Sequence, residues 1–173
     1  MPSKLSSYTK KRNLKKSGEP SVCARSYRGA KNKKSERGHE PKAKIPKTKS
    51  KKLIYVIQKH DASHLHHDLR LEMNRTLKSW AVPKEPPTKK GIKRLAIQVE
   101  DHPLSYARFQ GEIKSGYGKG TVEIWDEGTY ELLEKDPKKI EIKIHGKKLK
   151  GNYVLIKTNY GNKPEKSWLF MKV

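Results

Sequence analysis

The run His66-His67-Asp68-Leu69-Arg70-Leu71-Glu72 alternates polar and apolar side chains after its first pair. A period of two suits a β-strand, which sends successive side chains to opposite faces. His66, Asp68 and Arg70 then share a face, their Cα atoms about 6.6 Å apart. The same habit returns at residues 94–101, where Leu95, Ile97 and Val99 take one side. Residues 53–57 form an apolar run, and 69–73 and 77–82 flank a turn-like Asn74-Arg75. Short strands are expected at 121–125, 129–133, 140–144 and 153–157, with glycine-containing turns between them, and 168–171 closes the series. No window holds a long helical period; His60-Asp61-Ala62-Ser63 suits one short helical turn with Asp61 as its cap. Many short strands predict a mainly β fold, a compact single-domain barrel or strongly curved sheet.

Charge narrows the partner. The chain carries 41 lysines and arginines against 18 acids, a formal +23, far above what solubility requires. Residues 1–52 hold 18 of those bases and three glutamates, a net of +15, leaving +8 for residues 53–173. The first segment has few large apolar groups and many Lys, Ser, Gly and Pro, so it cannot bury enough surface to offset chain ordering. It reads as a basic, largely flexible arm (1–52) ahead of one β domain (53–173). Such a charge excess favours a polyanion, and nucleic acid above all. Cys23 is alone, which excludes an internal disulfide and a cysteine-based zinc motif. No long apolar run is present, so neither a signal peptide nor a membrane span is expected, and the protein reads as intracellular.

Between Gln58 and Glu72 lie four of the seven histidines, two aspartates and an arginine. On one strand face an imidazole and a carboxylate can converge on a cation while a guanidinium reaches the anion it holds, which outlines phosphate chemistry. Any metal must take histidine and carboxylate ligands. The 94–101 strand carries Arg94, Ala96, Gln98 and Glu100 on its second face, followed by Asp101-His102-Pro103-Leu104-Ser105-Tyr106, and Lys84 ends a third strand. A half-buried strand can show such groups to water; their repetition on neighbouring strands suggests one shared pocket. His67 lies opposite His66 and Asp68 and reads, like His64, as structural or exposed. His39 and His145 sit in Lys/Gly-rich stretches and read as solvated, Asp61 and Glu72 have ordinary capping and pairing roles open to them, and the three tryptophans read as core.

The blocks Gln58-Lys59-His60-Asp61-Ala62, Leu65-His66-x-Asp68-x-Arg70-Leu71-Glu72, Leu77-Lys78-Ser79-Trp80-Ala81-Val82-Pro83-Lys84, Lys93-Arg94-Leu95-Ala96, Val99-Glu100-Asp101-His102-Pro103-Leu104-x-Tyr106, Gly118-x-Gly120-Thr121-Val122 and Trp125-Asp126 occur in order. Together they closely resemble the 3′-phosphoesterase module of bacterial ligase D, across residues 53–173 with a weaker extension back to Tyr8. The length leaves no room for that family's ligase or polymerase modules, so the chain looks like a stand-alone form.

The resemblance implies a manganese-dependent DNA end-healing enzyme on a barrel-like fold, removing a 3′-phosphate and trimming a 3′ ribonucleotide. By motif, His60, His66 and Asp68 correspond to metal ligands. Arg70 and His102 correspond to phosphate contacts, Lys84, Arg94 and Tyr106 to further pocket residues, and Gln58 and Glu100 to supporting ones. Two imidazoles and a carboxylate without thiolate suit Mn²⁺; Zn²⁺ and Co²⁺ compete for the same set. The expected partners are DNA 3′ ends in primer-template duplex, with a ligase or polymerase supplied in trans, in the cytoplasm at the nucleoid. One position departs from the family: Asn13, between Lys11-Arg12 and Glu19-Pro20, replaces an acid, which points toward phosphomonoester removal over ribonucleotide trimming. No serine or cysteine sits in a recognisable nucleophile motif, so hydrolysis by water is favoured over a covalent phosphoenzyme. A non-catalytic nucleic-acid-binding module and a nuclease cutting internal phosphodiesters are the rival classes.

Overall fold

The computed structural model describes residues 5–21, 52–116, 118–161 and 164–173. Nine antiparallel strands account for most of them: β1 (Leu53–Asp61), β2 (Leu65–Met73), β3 (Thr76–Val82), β4 (Lys93–Gln98), β5 (Gly111–Ile113), β6 (Gly120–Lys135), β7 (Lys139–Gly146), β8 (Lys150–Lys157) and β9 (Ser167–Lys172). Neighbours run β1-β2-β3-β4-β9-β8-β7-β6, and β6 returns to pair with β1. Eight strands therefore close into a barrel, with β5 added along the first residues of β6. Closure satisfies the backbone donors and acceptors that an open edge would expose.

Local chemistry sets the details. The two-residue turn joining β2 to β3 has positive φ at both Asn74 (54°) and Arg75 (64°), the I′ geometry whose twist matches a right-handed hairpin. The expected strands 121–125 and 129–133 prove to be parts of one 16-residue strand, β6. Gly128 does not turn the chain. It lies opposite Gly146 of β7, where a Cβ would fall 2.3 Å from the His145 carbonyl oxygen, so glycine serves close approach. The β1–β6 register slips between Ile57 and Gln58, leaving Trp125 as the extra residue of a bulge. Beside it the buried Asp126 carboxylate accepts from the Tyr55 hydroxyl at 2.6 Å and from the backbone N–H groups of Lys147, Lys148 and Leu149. The short helical turn expected at residues 60–63 is absent: β1 continues to Asp61, because His60 and Asp61 still pair with His66 and Leu65 across the hairpin.

The barrel interior holds Tyr55, Ile57, Leu69, Leu71, Trp80, Val82, Ala96, Tyr130, Ile142, Ile144, Tyr153, Leu155, Trp168 and Phe170. Burying each large apolar side chain contributes roughly 1.5–3 kcal/mol before entropy is counted. Trp80 and Trp168 belong to this core, with Trp125 packed against it. A smaller cluster of Tyr8, Val56, Leu77, Tyr106 and Ala107 lies on the outer face of β1 and β3. It is built from the 3₁₀ helix Leu104–Arg108 and from an N-terminal segment containing α1 (Ser6–Lys11) and α2 (Leu14–Ser17). Residues 5–21 thus depart from the expectation of an unpacked arm, since Tyr8 is fully buried and its hydroxyl donates to the Pro20 carbonyl. The remainder of that expected arm, with Cys23, His39 and the lysine-rich stretches, lies outside the described residues.

Candidate active site

On the outer face of the β1–β2 hairpin, His60 lies directly across from His66, and Gln58 across from Asp68. Their ligand atoms converge: one nitrogen of each imidazole and a carboxylate oxygen of Asp68 all lie within 4.8 Å of one another. His60 Nδ1 is 3.6 Å from Asp68 Oδ2, and His66 Nε2 is 3.6 Å from Asp68 Oδ1. The opposite nitrogens are engaged by main-chain oxygens, His60 Nε2 by Gly118 O and His66 Nδ1 by His64 O, both at 2.8 Å. A carbonyl only accepts, so each of those nitrogens carries the hydrogen, and a neutral ring turns its lone pair toward Asp68. Two lone pairs and a carboxylate facing one point repel unless a cation lies between them. This donor set fits a divalent metal ion, with room for further ligands.

Arg70 lies two residues beyond Asp68 and is buried. Its Nε donates to Gln58 Oε1 at 2.6 Å, one terminal nitrogen to Ser79 Oγ at 2.9 Å and the other to Asp68 Oδ2 at 2.9 Å, while the guanidinium stacks 4.5 Å from the Tyr106 ring centre. Three of its five N–H groups hold it in place, leaving one on each terminal nitrogen for an anion. Gln58 is fixed in turn by donating to the Tyr106 and Phe109 carbonyls. Burial pushes the Asp68 carboxyl up, but the adjacent Arg70 charge outweighs it and holds the group well below the usual carboxylate range.

His102 closes the opposite wall. Its Nδ1 sits 2.9 Å from the Glu100 carbonyl and 3.1 Å from Ser79 Oγ, and its Nε2 lies 3.4 Å from a terminal nitrogen of Arg12. Burial, with the Arg70 and Arg12 charges next, drives its pKa well below 6.5. His102 is therefore neutral at pH 7, with Nδ1–H donating to the carbonyl and Nε2 left as an acceptor. Glu100, whose carboxyl burial alone would raise, is held low by hydrogen bonds from Arg12 at 2.5 Å and Lys11 at 3.2 Å.

These groups line a cavity of about 200 Å³ together with Ala62, Ser63, Val99, Ile113 and Gly118. A larger hollow, about 300 Å³, between Ile54–Val56, Arg108, Glu127 and Lys147 gathers no comparable ligand set. Of the residues expected in the site, His60, His66, Asp68, Arg70, Glu100, His102 and Tyr106 line the smaller cavity, and Gln58 braces it. Lys84 and Arg94 do not: Lys84 is exposed beyond β3, and Arg94 donates to the Glu85 carbonyl. The second face of β4 points elsewhere than expected. Ala96 belongs to the barrel core, and Gln98 accepts from Trp168 Nε1 there. Alternation ends with the strand at Gln98, which lets Val99 and Glu100 both reach the cavity. His67 is buried edge-on against Trp125, away from the ligand set, and His145 pairs with Glu131.

Three residues of the N-terminal segment complete the site. Arg12 bridges Glu19 at 2.8 Å and Glu100 at 2.5 Å, Tyr106 donates to Glu19 at 3.1 Å, and the Tyr8 ring packs 5.1 Å from His102. Their sequence signal was the block Lys11-Arg12-Asn13-Leu14 with Glu19-Pro20. Asn13 itself is exposed and caps α2 through its main chain alone.

Residues 58–157 match the family model for the DNA ligase D 3′-phosphoesterase domain. The chain belongs to this family. It is 47% identical over 141 residues, 77% of its length, to the multifunctional non-homologous end joining protein LigD of Pseudomonas aeruginosa. It is 49% identical over 110 residues, 61% of its length, to the LigD protein of Mycobacterium bovis, and 41% identical over 137 residues, 72% of its length, to that of Mycolicibacterium smegmatis. The matched regions make up 16%, 14% and 17% of those relatives, so this phosphoesterase-family chain corresponds to a small part of each.

Proposed function

We propose that this protein is a metal-dependent phosphoesterase that heals DNA 3′ ends, hydrolysing a terminal 3′-phosphate to leave a 3′-hydroxyl and inorganic phosphate. The observation that carries the reading is the convergence of the His60, His66 and Asp68 lone pairs on one point, with the Arg70 fork beside it. Family membership supports a hydrolase that processes ends for joining. When bound, a divalent ion at His60, His66 and Asp68 supplies Lewis acidity toward a phosphoryl oxygen. Mn²⁺ suits the mixed nitrogen and oxygen donors, with Zn²⁺ and Co²⁺ as alternatives to be compared directly.

Arg70 offers its two remaining terminal N–H groups to the other phosphoryl oxygens, as a preorganised planar donor that needs no rearrangement as charge shifts. His102, neutral and presenting Nε2, acts as an acceptor that orients the attacking water or takes its proton, rather than as an acid. Arg12 adds positive charge on the same wall while staying tied to Glu19 and Glu100. The roughly 200 Å³ cavity suits a terminal phosphate better than a strand passing through, which favours end processing over internal cleavage. Trimming of a 3′ ribonucleotide is a second activity of the same cavity in this reading. The basic segment 1–52 supplies duplex contacts, and a ligase or polymerase acts in trans on the healed end, within the cytoplasm. Among the described residues no helix is long and apolar enough to cross a membrane.

The test is a primer-template carrying a 3′-phosphate, incubated with Mn²⁺, Mg²⁺, Zn²⁺, Co²⁺ or EDTA. Phosphate release with Mn²⁺ and none with EDTA is expected; release undiminished by EDTA contradicts the metal assignment, and internal strand cuts favour the nuclease class.

A further inference from the structure

The Gly118-x-Gly120 motif takes no part in the chemistry above, yet it bears directly on His60. Gly118, between β5 and β6, lines the cavity and presents its carbonyl oxygen 2.8 Å from His60 Nε2. It does so at φ +87°, a conformation that side-chain-bearing residues rarely adopt. The space beside it is not the constraint, since a Cβ there would make an ordinary 3.5 Å contact with His60 Cε1. Two residues on, Gly120 has φ +150° and lies so close to the hairpin end that a Cβ would fall 2.1 Å from the Asp61 carbonyl oxygen. The loop is thereby seated against the same strand end that carries His60.

We propose that Gly118 is a positioning residue: its main-chain carbonyl, presented from a backbone at φ +87°, locks the His60 ring with Nε2 protonated and Nδ1 turned toward Asp68. The two histidines then contribute different nitrogens, Nδ1 from His60 and Nε2 from His66, each fixed by a main-chain oxygen. Without the Gly118 carbonyl the His60 ring is free to flip or change tautomer and withdraw its lone pair. This inference rests on the metal reading of the cluster, and its test separates the two.

Gly118→Val forces a β-branched residue toward φ +87°, whereas Gly118→Asn tolerates positive φ and keeps the carbonyl in place. Mn²⁺ affinity, followed by calorimetry and by the electron paramagnetic resonance of free Mn²⁺, should weaken 10- to 100-fold in Gly118→Val, as for loss of an outer hydrogen bond to a ligating histidine. It should stay within about threefold of the parent in Gly118→Asn, and circular dichroism should show both variants folded at the temperature of the titration. Nitrogen-15 spectra of the metal-free parent should show His60 protonated at Nε2, and Gly118→Val should lose that preference. A His60 protonated at Nδ1 in the metal-free parent, or unaltered Mn²⁺ affinity in a folded Gly118→Val, overturns the proposal. Should Gly118→Val not fold, the parent spectrum and the Gly118→Asn affinity decide. A parent that binds no Mn²⁺ contradicts the metal reading, while the parent spectrum still decides the tautomer claim.

Discussion

Strand β2 is buried on both faces, but the faces do different things. Inward, Leu69 and Leu71 meet the aromatic and aliphatic barrel core; outward, Asp68 and Arg70 meet charge, amide and hydroxyl. Residues 67–71 are buried whichever way they point, with opposite consequences. The inner face gains from removing apolar surface, while the outer one removes charges from water and must satisfy them one by one, as the three bonds of Arg70 do. The contrast teaches that one strand separates folding energy from reactivity by a rotation of half a turn per residue. Substitutions on the two faces should therefore fail in different measurements.

The largest expected effect on turnover comes from the outer face. Arg70→Ala should lower phosphate release at saturating Mn²⁺ by about 10² to 10³, roughly 3 kcal/mol of transition-state stabilisation, while still binding the ion. Arg70→Lys should recover only part of this, because lysine keeps the charge and loses the fork. Parent-like rates in either variant would break the division between faces. The largest effect on stability comes from the inner face: Leu69→Ala, at a fully buried position, should cost about 2–5 kcal/mol in denaturant unfolding, with near-parent turnover under conditions where it remains folded.

How far the sequence foretold this division depends on separation along the chain. His66, Asp68 and Arg70 were legible because a period of two acts within one strand. His60 came only through resemblance, since nothing in the apolar run 53–57 shows that the strand goes on to Asp61. Alternation groups Ala96 and Gln98 with the pocket-facing side, whereas both face the barrel core, because the pattern gives two faces without saying which is the interior. Arg12 and Glu19 were hidden more deeply. Arg12 reaches Glu100 across 88 residues of sequence, and the charged, glycine- and proline-bearing stretch around it has the composition of a tail. Pairing over such distances comes from tertiary packing, here the burial of Tyr8, which no local period records.

A smaller effect concerns acid stability. His102 has a folded pKa below its ordinary value of 6.5, so the unfolded chain binds the proton first, and stability should fall as pH drops below about 6.5. Glu100, held below its ordinary 4.5, contributes stability above that value and loses it as pH falls further. Unfolding free energies of His102→Gln measured against pH should lose part of the upper decline, leaving the share from His67, whose pKa burial also lowers, and should keep the lower decline; an unchanged profile would show that His102 does not contribute. Smallest of all, Asn74→Ala at the hairpin turn should cost about 1–2 kcal/mol through its positive φ, with no change in turnover.

The most direct test uses two adjacent histidines on opposite faces. Mn²⁺ titrated calorimetrically into His66→Ala and His67→Ala, each confirmed as folded by circular dichroism, isolates the outer face from the inner one by a single residue. His66→Ala should lose measurable Mn²⁺ binding while His67→Ala keeps the parent affinity. Retained binding in His66→Ala, or its loss in a folded His67→Ala, would contradict the placement of the metal chemistry on the outer face of β1 and β2.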